Sequence, residues 1–431
     1  MSNLIGSLYL GAYRCVTWLF SLMAKRHLIK RVKRGKEDPI RWCEKRGKPT
    51  IIRPQGPLVW LHAVGLGETL ALRGVIDAIS RVRPDVNFLV TSSTVASART
   101  FAKNLPDRTV HQFLPLDVSR YINAFLDHWA PDLVLWSEQD IWPNFIDTTA
   151  RRKVPQVLIN ARMNKASFDK KRKSMPVFRL IYDHFDLLSA QDVATANNIQ
   201  AFGIKRPVRV DGSLKPFAPP LDVNQQELAL FKSLTKDRRI HLIASSHAKT
   251  ETVAIDAFRD VLATHPRDLL IIAPRDITRL ETILPTLHGL DVGVRSFDQT
   301  PNARTQVYIA DTFGEMGLWY SLANSAVIGG TFSDVEGHNP WEAVQLGCAV
   351  IHGPRTLNFE NDYALLDQAG AALPIQNAQD LSALWRSEAW RDTLGAAQTL
   401  RVGQAAKMND LITTLVTMIP VKHATNAKDP K

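Results

Sequence analysis

Ten short apolar runs, separated by stretches of helical pattern, constrain this chain more than any other feature. PLVWLH (57–62), NFLVTSS (87–93), DLVLWSE (132–138), PQVLIN (155–160) and DLLSAQ (186–191) occupy the first half. IHLIASS (240–246), LLIIAP (269–274), QVYIADT (306–312), AVIGG (326–330) and AVIHG (349–353) occupy the second. Runs this uniformly apolar suit strands buried on both faces, and parallel strands need the long helical crossovers that the intervening residues supply. One crossover is legible in detail: Leu72, Val75, Ile76 and Ile79 recur at helical spacing, so an amphipathic helix follows Glu68. The series breaks once, at GSLKPFAPPLDVNQQE (212–227), where prolines and polar residues read as a linker. The expected fold is α/β, with two doubly wound halves and a cleft between them. Residues just after the strands carry the chemistry in such sheets.

The chain has 431 residues and a formal charge of +11, but the excess is local. Residues 25–48 hold eleven Lys and Arg against Glu37, Asp38 and Glu44, whereas the rest of the chain is nearly balanced. A general nucleic-acid binder would line its folded surface with basic residues, so no nucleic-acid partner is expected. Upstream, residues 4–24 (LIGSLYLGAYRCVTWLFSLMA) are just long enough to cross a hydrocarbon core, although Arg14 sits near their middle. A basic cluster that follows an apolar run, with none before it, fits a retained anchor better than a cleaved leader, and would hold the body on the cytoplasmic side beside anionic lipids. The competing reading is a helix packed on the globular body with a solvated basic face. Cys15, Cys43 and Cys348 are too scattered for a disulfide framework or a zinc module.

Three groups of residues follow strands. In His62–Glu68, Gly65 and Gly67 allow a tight turn before a helix. A phosphate there would be repelled by Glu68, which suggests a base; an acidic residue favoured by the helix dipole is the alternative. In SEQDIWPN (137–144), Glu138 and Asp140 are acid/base candidates, with Asp140 equally able to cap the next helix. In the second half, SSH (245–247), APRD (273–276), DTFGEM (311–316), GGTFSDVEGHNPWE (329–342) and GPRTLNF (353–359) together describe a nucleotide pocket. Glycines and helix N-termini offer N–H donors, Arg275 adds a cation, and Asn339 or Glu342 can accept from ribose or base. No residues have metal-ligand spacing.

With RGKEDPIRWCEKRG, HAVGLGETLA, INARMNKAS and GSLKP added, these blocks resemble, in order and nearly end to end, the 3-deoxy-D-manno-octulosonic acid (Kdo) transferases of lipopolysaccharide biosynthesis. The resemblance implies a GT-B glycosyltransferase of two Rossmann-like domains with a central cleft and an N-terminal membrane-anchor helix. It divides the chain into an anchor and basic segment (1–48), an acceptor domain (49–213), a linker (214–225), a nucleotide-sugar domain (226–418) and a tail (419–431). It further implies inverting transfer of Kdo from CMP-Kdo to a lipid A precursor at the cytoplasmic face of the inner membrane, with no metal and no other cofactor.

Carried over residue by residue, the resemblance makes Glu68 the general base and gives Glu138 and Lys215 to transition-state stabilisation. CMP contacts fall on Pro274, Arg275, Gly314, Glu315, Met316, Asn339, Pro340, Trp341 and Glu342. A basic cluster outside those motifs, Arg162, Lys165, Lys170, Lys171, Arg172 and Lys173, is a candidate for the acceptor's phosphates, against the alternative of a solvated helix. The chain departs from the family pattern at Gly65-Leu66, Asp140, Asp276-Ile277, Ala248-Lys249-Thr250 and Glu336, mostly on the donor side. A GT-B enzyme of another nucleotide sugar and a nucleotide-binding relative without catalysis are the rival readings.

Overall fold

The computed structural model describes residues 2–62, 66–103, 105–139 and 141–421, with side chains left out at 2–4, 66–70, 96, 100, 102 and 103. It divides into two units: residues 1–219 with 406–431, and residues 220–405.

The first unit is built on seven strands: β1 (Leu58–His62), β2 (Asn87–Ser92), β3 (Thr109–Phe113), β4 (Leu133–Ser137), β5 (Gln156–Ala161), β6 (Leu187–Ala190) and β7 (Val208–Val210). Their order is β3-β2-β1-β4-β5-β6-β7, with every pairing parallel. Each β1 residue is buried, and alternate side chains serve opposite faces. Leu58 and Trp60 join a core with Phe125, Trp136 and Phe145; Val59 and Leu61 join one with Leu72, Val75, Ile76 and Ile79. Those last four lie on α2 (Leu66–Val82), the amphipathic helix expected from their spacing.

The second unit repeats the plan with β8 (Ile240–Ser246), β9 (Leu269–Pro274), β10 (Val292–Val294), β11 (Val307–Ile309), β12 (Ser325–Ile328), β13 (Ala349–His352) and β14 (Ala372–Pro374). Their order is β10-β11-β9-β8-β12-β13-β14, again all parallel. The helix Trp390–Thr417 begins in this unit, where Ala396, Ala397 and Leu400 join the core. Its later residues Met408, Leu411, Ile412 and Leu415 fill the core of the first unit.

The N-terminal helix, α1 (Ser2–Lys33), corrects the expectation of a span. Among the described residues no helix is long and apolar enough to cross a membrane. Instead α1 packs along the first unit: Leu10, Ser21, Ala24 and Leu28 are buried, and a Cβ on Gly6 would meet the Pro176 carbonyl oxygen at 2.6 Å. Arg14 is turned inward and pairs with Asp147, and Tyr13 donates to Asp117 Oδ2 at 3.0 Å. The opposite side, including Leu8, Val16, Leu19, Leu22 and Met23, is exposed.

The basic segment is likewise only partly a surface patch. Lys45 and Glu37 are buried together, their ion pair spanning 2.6 Å, and Lys45 also donates to the Ser93 carbonyl at 3.0 Å. Arg41 chelates the buried Glu44, which in turn accepts from the Phe113 amide at 2.8 Å. Much of RGKEDPIRWCEKRG thus latches the chain to the ends of β2 and β3. Lys25, Arg26, Lys30, Lys33, Arg34 and Lys36 remain exposed.

Candidate functional site

In each sheet the strand order reverses once, and the loops at that point diverge to leave room for a ligand. In the first unit the reversal lies between β1 and β4. His62 ends β1 fully buried, its Nδ1 2.9 Å from Thr91 Oγ1 and its ring edge-on to Trp136, so it fixes the strand end structurally. Residues 63–65, including Gly65, lie outside the described residues. The backbone of Glu68 is in the first turn of α2, while its side chain lies outside the described residues.

Across the reversal, β4 ends at Ser137 and Glu138 adopts φ +60, a left-handed conformation unusual for a residue with a Cβ. Its amide donates to the Ile159 carbonyl at 3.2 Å. Asp140 lies outside the described residues. Asp117 accepts from the amides of Asn144 and Phe145 at 3.1 and 2.9 Å, at the start of the helix Pro143–Arg151. Asn144 is structural as well, donating through Nδ2 to the Asp117 carbonyl at 2.7 Å and to Thr17 of α1 at 3.1 Å.

One residue of this site escaped sequence reading. Asn160 interrupts β5 with φ +55 and shifts the register to β6 between Leu158 and Ala161. Only 2% exposed, it donates to Glu138 Oε1 at 3.4 Å and accepts from the Leu214 amide at 3.1 Å. It thereby ties the Glu138 block to the GSLKP block, whose Lys215 opens the short 3-10 helix Lys215–Phe217. Only its place in INARM, directly after a strand, marked it in the sequence.

The basic cluster surrounds the helix Lys165–Arg172, where Lys165, Lys170, Arg172 and Lys173 are exposed and Arg162 and Lys171 are half-buried. Lys165 pairs with Asp169 at 2.9 Å, and Lys171 lies over the Phe178 ring, where burial lowers its pKa.

In the second unit the reversal lies between β8 and β12, and the residues after both strands meet. His247 Nε2 is 2.8 Å from His338 Nε2, with the rings stacked. Burial, followed by the charges of His247 and Arg275, lowers His338 to about 4; burial and Arg279 also lower His247. Gly329 is required here, because a Cβ would fall 1.9 Å from the Ser245 carbonyl oxygen. Glu251 braces the end of β8, accepting from Ser246 Oγ at 2.7 Å and from both Arg279 nitrogens at 2.8 Å.

Pro274 ends β9, and the Arg275 side chain is exposed with no ion-pair partner among the described residues. Asn339 Oδ1 accepts from the Trp341 amide at 3.1 Å, while its Nδ2 is 3.4 Å from Glu342 Oε1. Burial raises the Glu342 pKa, opposed by Asn339 and Arg275. Pro340 precedes the short helix Trp341–Gln345, and Trp341 is fully buried, donating through Nε1 to Asp362 at 2.8 Å.

Gly314 takes φ +93 ahead of the helix Met316–Leu322. The Glu315 side chain is engaged by Arg295 at 2.8 Å and by Thr312; burial raises its pKa, but those partners outweigh it and the net shift is downward. Pro274 adjoins Arg275 in sequence, and Asn339 contacts Glu342, on which Arg275 acts electrostatically, whereas Glu315 is turned to Arg295. Among the described residues no group of three or more His, Cys, Asp or Glu is placed to hold a metal.

Two Rossmann-like units, each a parallel sheet whose strand order reverses once, define the GT-B fold class. Solved structures agree on the fold alone. The UDP-GlcNAc 2-epimerase of Neisseria meningitidis aligns with TM-score 0.55 and 13% identity over 83% of this chain and all of the epimerase. MurG of Acinetobacter baumannii aligns with TM-score 0.52 and 11% identity over 84% of this chain and all of MurG.

The chain belongs to the 3-deoxy-D-manno-octulosonic acid transferase family. The family's model, "3-Deoxy-D-manno-octulosonic-acid transferase (kdotransferase)", matches residues 40–218. A relative in Arabidopsis thaliana, described as a probable mitochondrial 3-deoxy-D-manno-octulosonic acid transferase, is 32% identical over 91% of this chain and 90% of its own length. The 3-deoxy-D-manno-octulosonic acid transferase of Rickettsia felis is 34% identical over 75% of this chain and 70% of its own.

Proposed function

We propose that this glycosyltransferase moves Kdo from CMP-Kdo to a lipid A precursor in a single displacement that inverts the anomeric carbon. Glu68 takes the proton of the acceptor hydroxyl as that oxygen attacks, and CMP leaves from the opposite face. The observation that carries this reading is the reversal between β1 and β4, flanked by the first turn of α2, which bears Glu68, and by Glu138 in its left-handed conformation. Glu138 and Lys215 stabilise the developing charges, Asn160 bonding both Glu138 and the amide of Leu214, which precedes Lys215.

In the second unit Arg275 and the backbone at Gly314, Glu315 and Met316 hold the CMP phosphate, while Asn339 and Glu342 accept from the nucleoside. Pro274, Pro340 and Trp341 shape that pocket. The basic helix Lys165–Arg172 and its flanking residues meet the acceptor's phosphates. No residue is assigned to a metal. The enzyme works at the cytoplasmic face of the inner membrane as a monotopic protein, with the exposed apolar side of α1 in the interface and exposed lysines and arginines from Lys25 to Lys36 near anionic headgroups.

The test is incubation of the full chain with CMP-Kdo and a lipid A precursor, with products read by mass. Glu68→Ala is expected to keep CMP binding and lose turnover by at least the 10²–10⁴-fold typical of a missing general base. A folded, CMP-binding Glu68→Ala protein with full turnover would remove the base, and displacement of CMP by UDP at lower concentration would overturn the donor.

A further inference from the structure

Arg14 is the anomaly of α1: a guanidinium in an otherwise apolar stretch, turned toward the body of the first unit. There it forms one wall of an open recess of about 270 Å³, completed by Ser119, Asn123, Asp147, Thr148, Arg151 and Arg152. The recess lies among helices, between α1, the helix Ser119–Trp129 and the helix Pro143–Arg151, and none of the transfer residues lines it.

Its charge is unbalanced. Asp147 serves both Arg14 and Arg151, the latter at 2.9 Å, and His184 Nε2 is a further 3.5 Å away. Arg152 pairs with the exposed Asp127 at 2.7 Å and donates to Asn123 Oδ1 at 2.7 Å. Three guanidinium groups therefore face two carboxylates, with the hydroxyls of Ser119 and Thr148 as additional donors. This donor set matches a phosphate, whose several oxygens accept from guanidinium forks and hydroxyls at once.

Helical geometry indicates where such a phosphate would come from. The buried side of α1 runs through Leu10, Ser21 and Leu28, and the exposed apolar side through Leu8, Val16, Leu19 and Met23 lies opposite. Arg14 lies toward the edge of the buried side, and Trp18, one turn further along and nearer the exposed side, is 56% exposed. A helix lying with its apolar side among acyl chains carries that edge at headgroup depth, the level at which tryptophan concentrates.

We propose that the recess walled by Arg14, Arg151 and Arg152 binds the phosphate of an anionic membrane lipid, at a site separate from the transfer site. The proposal rests on the reading of α1 as a membrane-lying helix. Occupancy would hold α1 and the body in register with the bilayer, so the enzyme senses headgroup charge as well as the acyl interior.

The experiment is vesicle flotation of the full chain with phosphatidylcholine vesicles, with and without 30% phosphatidylglycerol, and with inorganic phosphate as competitor. The Arg151→Gln/Arg152→Gln protein is compared with wild type and with a charge-matched control, Arg81→Gln/Lys205→Gln, at exposed positions of the same unit. Wild type and control are expected to prefer the anionic vesicles. The recess variant is expected to lose that preference by roughly fivefold per arginine, as fits charges near a membrane surface, while still binding phosphatidylcholine.

An undiminished preference in the recess variant, or an equal loss in the control, would overturn the site. Wild type that binds millimolar phosphate but shows no preference between vesicles assigns the recess to a solution anion and overturns the lipid. Wild type that floats with neither vesicle overturns the membrane reading of α1 and this proposal with it, a failure recognisable because both vesicle arms are lost together.

Discussion

Asn160→Ala is the sharpest test of how the first unit's site is held together. The side chain is buried, and its oxygen is the acceptor for the Leu214 amide at 3.1 Å; the contact to Glu138, at 3.4 Å, is longer and weaker. Truncation leaves a buried N–H without its partner, which costs about 1–3 kcal/mol. It also places alanine at φ +55, where asparagine is tolerated and alanine is not, adding roughly 1 kcal/mol. The sum is about 2–4 kcal/mol, most of it from the Leu214 side. Asn160→Gly removes the same hydrogen bonds but adds no backbone strain, so it should be the milder variant by about 1 kcal/mol. Urea unfolding of the first unit, followed by tryptophan fluorescence through Trp60, Trp129 and Trp136, measures both. In the transfer assay Asn160→Ala should lower kcat while the KM for CMP-Kdo stays put, because the residue positions Glu138 and the Lys215 segment. Stability within 0.5 kcal/mol of wild type, or an alanine variant as stable as the glycine one, would refute the linkage.

Two further outcomes follow from the side chains at the strand ends and the basic helix. His338 is held near 4, against about 6.5 in an unfolded chain, so between those values the unfolded state binds more protons and stability is lost as pH falls from 6.5 toward 4. Urea midpoints across that window should rise with pH, with a shallower slope in His338→Gln, and equal slopes would remove the assignment. Converting Lys170, Lys171, Arg172 and Lys173 to glutamine should raise the apparent KM for the lipid acceptor and leave that for CMP-Kdo alone, a split that steady-state kinetics with each substrate varied will detect; an unchanged acceptor constant would return the cluster to plain solvation.

The interior strands were legible because burial on both faces makes each one a continuous apolar run. What the sequence hid lies at the sheet margins. β3 reads Thr-Val-His-Gln-Phe because an edge strand tolerates polar side chains once they are satisfied: His111 meets Ser92 Oγ at 2.9 Å, and Gln112 accepts from Trp129 at 2.7 Å. β7, β10 and β14 have three residues each, too few for a period to register. The return of the chain to the first unit near Ala406 falls inside one continuous helix, which Gly403 does not interrupt. Arg14 misled in a different way. In the linear sequence it is a charge interrupting a span, whereas its partner Asp147 comes from a helix 133 positions away. Pairing at that distance leaves no local signature.

The departures from the family pattern on the donor side have a common physical form. Asp276 replaces a potential cation beside Arg275, yet its carboxylate caps its own turn, accepting from the Thr278 amide at 3.0 Å and from Thr278 Oγ1 at 2.7 Å. Those bonds hold it below the usual carboxylate range and direct its oxygens at Thr278. Glu336 stands where a glycine suits the backbone, at φ +60, and its side chain pairs with Arg355. Glu251 keeps its acid and uses it to clamp Arg279 beneath His247. Asp276, Glu336 and Glu251 are therefore each engaged by a neighbour of their own, and Arg275 has no ion-pair partner among the described residues. On the proposed reading, Arg275 is thereby available to a phosphate even though the loop sequence departs from the family pattern. On the proposed reading, the base and its partner are Glu68 and Glu138 beside the first reversal, while the donor is held by Arg275 beside the second and by the backbone after β11.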